Sequence, residues 1–227
     1  MTRIVLDAGH GGHDPGATAN GLREKDLTLA IVKHIGKMLE EYEGVEILYT
    51  RTDDRFLELS ERAAIANKAG ADFFLSVHIN AGGGTGFESY VHPNANSATI
   101  AYQNVIHAEI LKSLDNVNDR GKKRANYAVL RETKMPAILT ENLFIDNVND
   151  AVKLKSEQFL QQIIYGHVQG IVKTFGLKKK ENSTQPTQKP SDGKLYRVQV
   201  GAFSDRRNAE RLAEELRKKG YTVHITD

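Results

Sequence analysis

Four side chains in this sequence have the types and setting for hydrolytic chemistry: His10, Glu24, His78 and Glu141. His10 falls in Leu6-Asp7-Ala8-Gly9-His10-Gly11-Gly12-His13-Asp14-Pro15-Gly16-Ala17, a glycine-rich turn between an apolar run and a helical one, where ligands collect in α/β proteins. Such a turn can cradle phosphate with its backbone N–H groups, but neither the dinucleotide-binding glycine spacing nor the phosphate-loop lysine is present. The alternative is a metal site, in which the glycines let the backbone bend while the His10 imidazole projects from a strand end. Glu24 stands at the first turn of the next helix, where a carboxylate also suits the helix dipole. His78 closes Asp72-Phe73-Phe74-Leu75-Ser76-Val77, and Glu141 ends Ala137-Ile138-Leu139-Thr140, where an acid is costly unless solvated, paired or chemically employed. Singly, each has a bland reading. A lone strand-end histidine is more often a structural hydrogen-bonder, the role assigned to His34, His92, His107 and His167. Together, two imidazoles and a carboxylate give zinc three protein ligands and leave a fourth tetrahedral position for water, the arrangement of catalytic sites. Glu141 is then the base that takes a proton from water and returns it to a leaving amine.

The elements that must bring these groups together follow from periodicity. Strands are expected at Arg3 to Leu6, Val45 to Thr50, Asp72 to His78, Gly86 to His92, Ala128 to Arg131 and Ala137 to Leu143. Between them, Leu27, Ala30, Ile31, His34, Ile35, Met38, Leu39 and Tyr42 recur at helical spacing, and residues 58–69, 97–114 and 156–175 read similarly. The pattern is an α/β domain built on a mostly parallel twisted sheet of about six strands with helices on both faces. The strand ends carrying His10, His78 and Glu141 then share one edge.

Length and composition agree. The 227 residues are 40% hydrophobic and 26% charged, ordinary globular proportions, enough for one substantial domain plus something small. No uncharged apolar run approaches the roughly 18 residues of a spanning helix. Without cysteine there are no disulfides, thiol nucleophiles or thiolate metal sites, so His, Asp and Glu must hold any metal. The net charge of +2 is too balanced for nucleic acid as the main partner. It is unevenly spread, −3 over residues 1–177 and +5 over 178–227. The stretch 176–193, GLKKKENSTQPTQKPSDG, reads as a flexible linker in which Lys178 to Lys180 are solvated. Beyond it, a short strand at 195–200, a helix capped by Ser204 or Asp205 with Ala209, Leu212, Ala213 and Leu216 on its buried face, and a strand at Tyr221 to Ile225 form a small βαβ unit.

The motifs LDAGHGGHDPGA, GLREKDLTL, RTDDRFLELSERAAIANKAGADFFLSVHINA and RGKKRANYAVLRETKMPAILTENLFIDN, in this order, resemble the zinc-dependent N-acetylmuramoyl-L-alanine amidases of the Amidase_3 family over residues 1–175. The resemblance implies zinc ligation by His10, Glu24 and His78, with Glu141 as the catalytic acid. It also implies cleavage of the amide between N-acetylmuramic acid and L-alanine in bacterial peptidoglycan. One departure stands out: the family commonly has glycine where this chain has Leu143 in Glu141-Asn142-Leu143-Phe144. Asn80, Arg131 and Asn142 lie close in sequence to these groups, and each has two equal readings, a residue that orients ligands or holds substrate and an ordinary loop or strand-end polar side chain. The tail, residues 194–227, resembles the first half of a SPOR domain, which implies glycan binding through Gln199 and basic residues over a core including Tyr196, Val198, Val200 and Val223. The expected partners are the glycan strands and stem peptides of peptidoglycan, met by a monomer that neither binds nucleic acid nor inserts into membranes. With Met1-Thr2-Arg3 leading into no uninterrupted apolar run, synthesis in the cytoplasm followed by release on lysis or by phage-type export is expected. The rival readings are a noncatalytic peptidoglycan binder, its groove altered by Leu143, and a zinc hydrolase of another peptidoglycan bond.

Overall fold

Short runs of β-branched and aromatic residues become strands here, and the segments of three-and-four spacing between them become helices that cover the sheet. The structure is a computed structural model describing residues 1–180, 199–218 and 223–226. The chain runs β1 (Thr2–Ala8), β2 (Thr18–Ala19), β3 (Leu22–Arg23), α1 (Glu24–Leu39), β4 (Val45–Tyr49), α2 (Leu59–Ala69), β5 (Phe73–Asn80), β6 (Phe87–Val91) and α3 (Ser97–Ser113). It continues through β7 (Asp119–Arg124), α4 (Ala128–Arg131), β8 (Ala137–Phe144), α5 (Val148–Lys155), α6 (Glu157–Phe175) and α7 (Arg206–Lys218). By its contacts the chain divides into two units, Met1–Glu181 and Asn182–Asp227.

In the first unit six strands form one sheet in the order β4-β1-β5-β8-β6-β7. The strands β4, β1, β5 and β8 are mutually parallel, β6 runs antiparallel to β8, and β7 runs parallel to β6. Alternation along β1 sends Ile4 and Leu6 to one face, against Ile31, Ile35, Ile163 and Val168 of α1 and α6, while Val5 faces the layer that holds Ala66, Val129 and Leu130 of α2 and α4. Helices thus cover both faces. The parallel strands place the ends of β1, β5 and β8 along one edge, next to the start of α1.

Two expectations need correction. Ala128–Arg131 is not a strand but the short helix α4, packed through Val129 and Leu130. The sixth strand is instead β7, Asp-Arg-Gly-Lys-Lys-Arg, which lies at the sheet edge and needs no apolar alternation because no residue of it is fully buried. The α1 stripe is also rotated from its expected position: Ala30 and His34 are exposed, and Thr28, Val32 and Gly36 take the buried face.

Residues 177–180, read as the start of the linker, are held by the first unit. Leu177 packs on its core, and the N–H groups of Glu43 and Lys180 donate to Lys178 O and Glu41 O. In the second unit, Asp205 Oδ1 accepts the Arg207 N–H at 2.9 Å at the start of α7, and Ala213 is buried between half-buried Ala209, Leu212 and Leu216. The flanking strands are not formed at residues 199–200 and 223–225, and Val200 is exposed rather than core. A strand exists only against a partner, and the remaining residues of both expected strands lie outside those described.

Candidate active site

His10 leaves β1 in a left-handed backbone conformation, φ 63°, which an L-residue holds only when its surroundings enforce it. Here a set of buried arginine bonds does so. Arg62 donates to His10 O (2.7 Å) and Ala8 O (2.7 Å) and pairs with Asp7 Oδ1 at 3.0 Å, while Arg51 donates to Ala8 O and Gly9 O, both at 2.9 Å. Both arginines are almost completely buried. Gly11 and Asp14 exchange backbone hydrogen bonds, closing the loop so that Asp14 Oδ2 accepts His10 Nδ1–H at 2.7 Å. Two glycines provide the space. A Cβ on Gly9 would overlap the His78 ring, and one on Gly16 would stand 2.7 Å from both Glu24 Oε2 and His10 Cδ2.

Glu24 is buried at the N-terminus of α1 and bridges the two histidines, with Oε2 3.1 Å from His10 Nε2 and Oε1 3.0 Å from His78 Nδ1. Its oxygens also accept the N–H groups of Ala17 (2.9 Å) and Ile79 (3.0 Å). Burial opposes ionisation of Glu24, but the His10 and His78 hydrogen bonds and charges overcome it and hold the carboxyl well below its ordinary value. Burial likewise opposes a charged His10, yet Glu24 and Asp14 raise it to about 9. His78 is raised too, Glu24 and Glu141 outweighing its burial. Ligand atoms of His10, Glu24 and His78 all lie within 4.8 Å of one another. The cluster therefore fits a small divalent cation by its donor set, by its compactness and by the Asp14 bond that fixes the His10 ring.

Glu141 faces His78 across the β5–β8 pairing, with its Oε2 shielded from solvent and without a hydrogen-bond partner among the described residues. Burial, opposed by His78 and assisted by the charges of Glu24 and Glu88, raises its carboxyl to about 7. Glu141 and the three-ligand cluster line a groove of about 610 Å³ whose walls include Phe56, Leu57, Leu59, Asn80, Tyr127 and Val129.

Leu143 does not enter this groove. Counting alternately along β8 would point it to the same side as Glu141. Instead the register slips by one residue between the His78–Glu141 and Asn80–Phe144 pairs, and Leu143 takes φ 69° and turns fully into the core. This is a bulge whose left-handed position usually belongs to glycine. The slip also leaves Asn142 buried, donating to His78 O at 3.0 Å, while Asn80 faces the groove. Arg131 is exposed, bonded to Asn126 and Glu132 outside the groove. Asp14, Arg51, Arg62, Glu88 and Tyr127 complete the site without belonging to the sequence pattern of four side chains that points to it. For Asp14 alone a local signal existed, a carboxylate four residues after the histidine. Ser89, His107 and Asp119 form a serine–histidine–aspartate chain of hydrogen bonds (2.8 and 3.0 Å), but Ser89 is fully buried and no substrate reaches it.

A parallel-rich sheet whose rim gathers two imidazoles, a bridging carboxylate and a second, unpartnered carboxylate in an open groove fits the class of hydrolases that work with a metal ion. The sequence profile described as N-acetylmuramoyl-L-alanine amidase matches residues 4–173, and the chain belongs to that family; the SPOR domain profile matches residues 192–227. A sporulation-specific N-acetylmuramoyl-L-alanine amidase of Bacillus subtilis (strain 168) is 50% identical over 222 residues, covering 97% of this chain and 83% of the relative. An endolysin of Bacillus phage SPP1 is 49% identical over 208 residues, 88% of this chain and 77% of its own. Among solved structures, the catalytic domain of CwlV, an N-acetylmuramoyl-L-alanine amidase from Bacillus (Paenibacillus) polymyxa var. colistinus, superposes with a TM-score of 0.74 at 34% identity. It covers 78% of this chain and 100% of that one.

Proposed function

We propose that this amidase cleaves the bond between the lactyl group of N-acetylmuramic acid and the L-alanine of the peptidoglycan stem peptide, with zinc held by His10, Glu24 and His78 and with Glu141 as proton carrier. The observation that carries the reading is the cross-strand pairing of Glu141 with His78, which sets an unpartnered carboxylate beside a compact three-ligand cluster. When bound there, zinc supplies Lewis-acid polarisation of the amide carbonyl and acidification of water. The Glu141 carboxylate takes the proton of the attacking water and delivers it to the departing alanine nitrogen. Asp14 keeps the His10 ring in the orientation that directs Nε2 inward, and the groove walls exclude bulk water around the reacting amide. The burial of Leu143 favours turnover over the noncatalytic reading, because the residue that departs from the family pattern leaves the groove free.

In this proposal residues 1–175 are the catalytic domain, the expected linker 176–193 starts only after the segment 177–180 that the first unit holds, and 194–227 are a SPOR-type module that holds glycan strands, so that a monomer works at the cell wall. The test is digestion of purified sacculi by the full chain with and without a chelator. Zinc-restored release of stem peptides with free L-alanine amino termini is expected. Release of any other new terminus, or unchanged release after chelation, would refute the reading.

A further inference from the structure

We propose that Arg120 and Lys123, which lie beyond Asn80 and outside the groove's own lining, form a carboxylate-binding subsite on the β6–β7 side of the site, which receives an acidic residue of the stem peptide and fixes the direction in which substrate lies. The inference rests on the amidase reading, since the direction is counted from the scissile amide.

Glu88 is the centre of the arrangement. It is 2% exposed, directly opposite Glu141 in the β6–β8 register, and accepts four side-chain donors. Oε1 accepts Asn80 Nδ2 (2.8 Å) and Tyr90 Oη (2.6 Å), and Oε2 accepts Arg120 Nε (2.6 Å) and Lys123 Nζ (2.5 Å). Asn80 itself lines the groove, so one side chain separates the groove from the cluster. Two cations against one carboxylate leave a positive charge uncompensated. The surplus is available, because the Arg120 and Lys123 side chains are 30% and 36% exposed. Arg120 contacts Glu88 through Nε while its guanidinium lies 4.7 Å over the Phe144 ring, and among the described residues its two terminal nitrogens have no partner. A guanidinium seated this way offers its outer edge to a second carboxylate.

The spacing suits a stem peptide. From Glu141 on β8, β7 lies two strands away, roughly 10 Å at the usual spacing of sheets. An extended peptide advances about 3.5 Å per residue, so the second or third residue beyond the scissile bond reaches these cations. Elsewhere in the groove Phe56, Leu57 and Leu59 form an apolar stretch suited to the uncharged sugar, and Asp53 and Asp54 beside it are paired with Arg55 and Lys25.

The experiment compares muramoyl-L-alanyl-D-glutamine, whose α-carboxylate is free, with muramoyl-L-alanyl-D-glutamic diamide, which carries no carboxylate, using the zinc-loaded full chain. At low ionic strength the acid should show a KM lower by about tenfold with kcat unchanged, as one charge-assisted bond would give. Raising salt should erode that preference in the unaltered chain. Lys123→Gln or Arg120→Gln should bring the two compounds to within about twofold, Lys123→Arg should restore the difference, and Lys122→Gln, whose side chain bonds Asn104 instead, should leave it. Equal KM values in the unaltered chain, or a preference that survives both Gln variants, would show that the cations only neutralise Glu88 and would overturn the proposal. Binding of the two compounds to Glu141→Gln separates the failures: selective binding without any muramoyl–alanine cleavage by the unaltered chain would sink the amidase reading and leave the subsite standing.

Discussion

At Leu143 two energies of single residues oppose each other. Its left-handed backbone costs about 1–2 kcal/mol relative to glycine, whereas its side chain is wholly buried in the core. Removing a buried leucine side chain costs about 3–5 kcal/mol, so Leu143→Gly should lower stability by about 1–4 kcal/mol, read by urea denaturation, although it restores the family's residue. Activity per folded molecule should stay within about twofold, because the side chain never faces the groove. A stabilised Leu143→Gly protein would show that backbone strain dominates. His10 gives a second expectation. Raised to about 9 in the metal-free chain, it is protonated at neutral pH and must lose that proton to serve as a ligand. Zinc affinity should therefore rise about tenfold per pH unit up to about pH 9, with proton uptake by buffer visible in calorimetry. Absence of proton release at pH 7 would contradict the His10–Glu24 coupling. The same pair affects metal-free stability. The contribution of His10 is full below its ordinary value of 6.5 and lost as pH rises through about 9, and that of Glu24 is present above 4.5 and lost on acidification.

Among the elements, the loop from β1 to α1 depends on a helix remote in sequence. Arg62 of α2 pairs with Asp7 and holds the carbonyls of Ala8 and His10, so the metal loop is shaped by α2. Arg62→Met should cost about 3–5 kcal/mol by leaving buried Asp7 without its charge partner. It should also weaken zinc binding by about 10–100-fold in chelator competition, while Arg62→Lys recovers part of both. Unchanged zinc affinity in the Met variant would mean that the loop holds its own shape. This dependence explains what the sequence could and could not disclose. Apolar strands buried on both faces, such as Phe73 to Val77, announce themselves, and so do the strand-end positions of His78 and Glu141. The charged edge strand β7 does not, because solvent on its open side removes the need for apolar alternation. Ala128–Arg131 misled because four apolar-rich residues suit a buried strand and a buried helical turn equally. The bonds from Arg51 and Arg62 to the metal loop join residues 40 to 55 positions apart, and only the packed sheet brings them together.

Across the whole molecule, charge and fold divide at about the same place. The first unit ends where residues 177–180 run against Glu41 to Glu43, and the basic segment beyond it carries the SPOR match. Residues 1–181 alone should hydrolyse a soluble muramoyl dipeptide within about twofold of the full chain's rate, since every site residue and its supports belong to that unit. Sedimentation with sacculi should weaken on the same truncation if the tail holds glycan. A truncated protein that loses dipeptide cleavage would place part of the catalytic machinery beyond residue 181.

The proposed division of labour, His10, Glu24 and His78 as metal ligands and Glu141 as proton carrier, is tested most directly by measuring zinc content and muramoyl–alanine cleavage together in Glu141→Gln and Glu24→Ala. Glu141→Gln should retain one zinc per chain while losing about 10²–10⁴ in kcat, and Glu24→Ala should lose both metal and activity. A Glu141→Gln protein that cleaves at the parent rate, or a Glu24→Ala protein that keeps stoichiometric zinc, would contradict it.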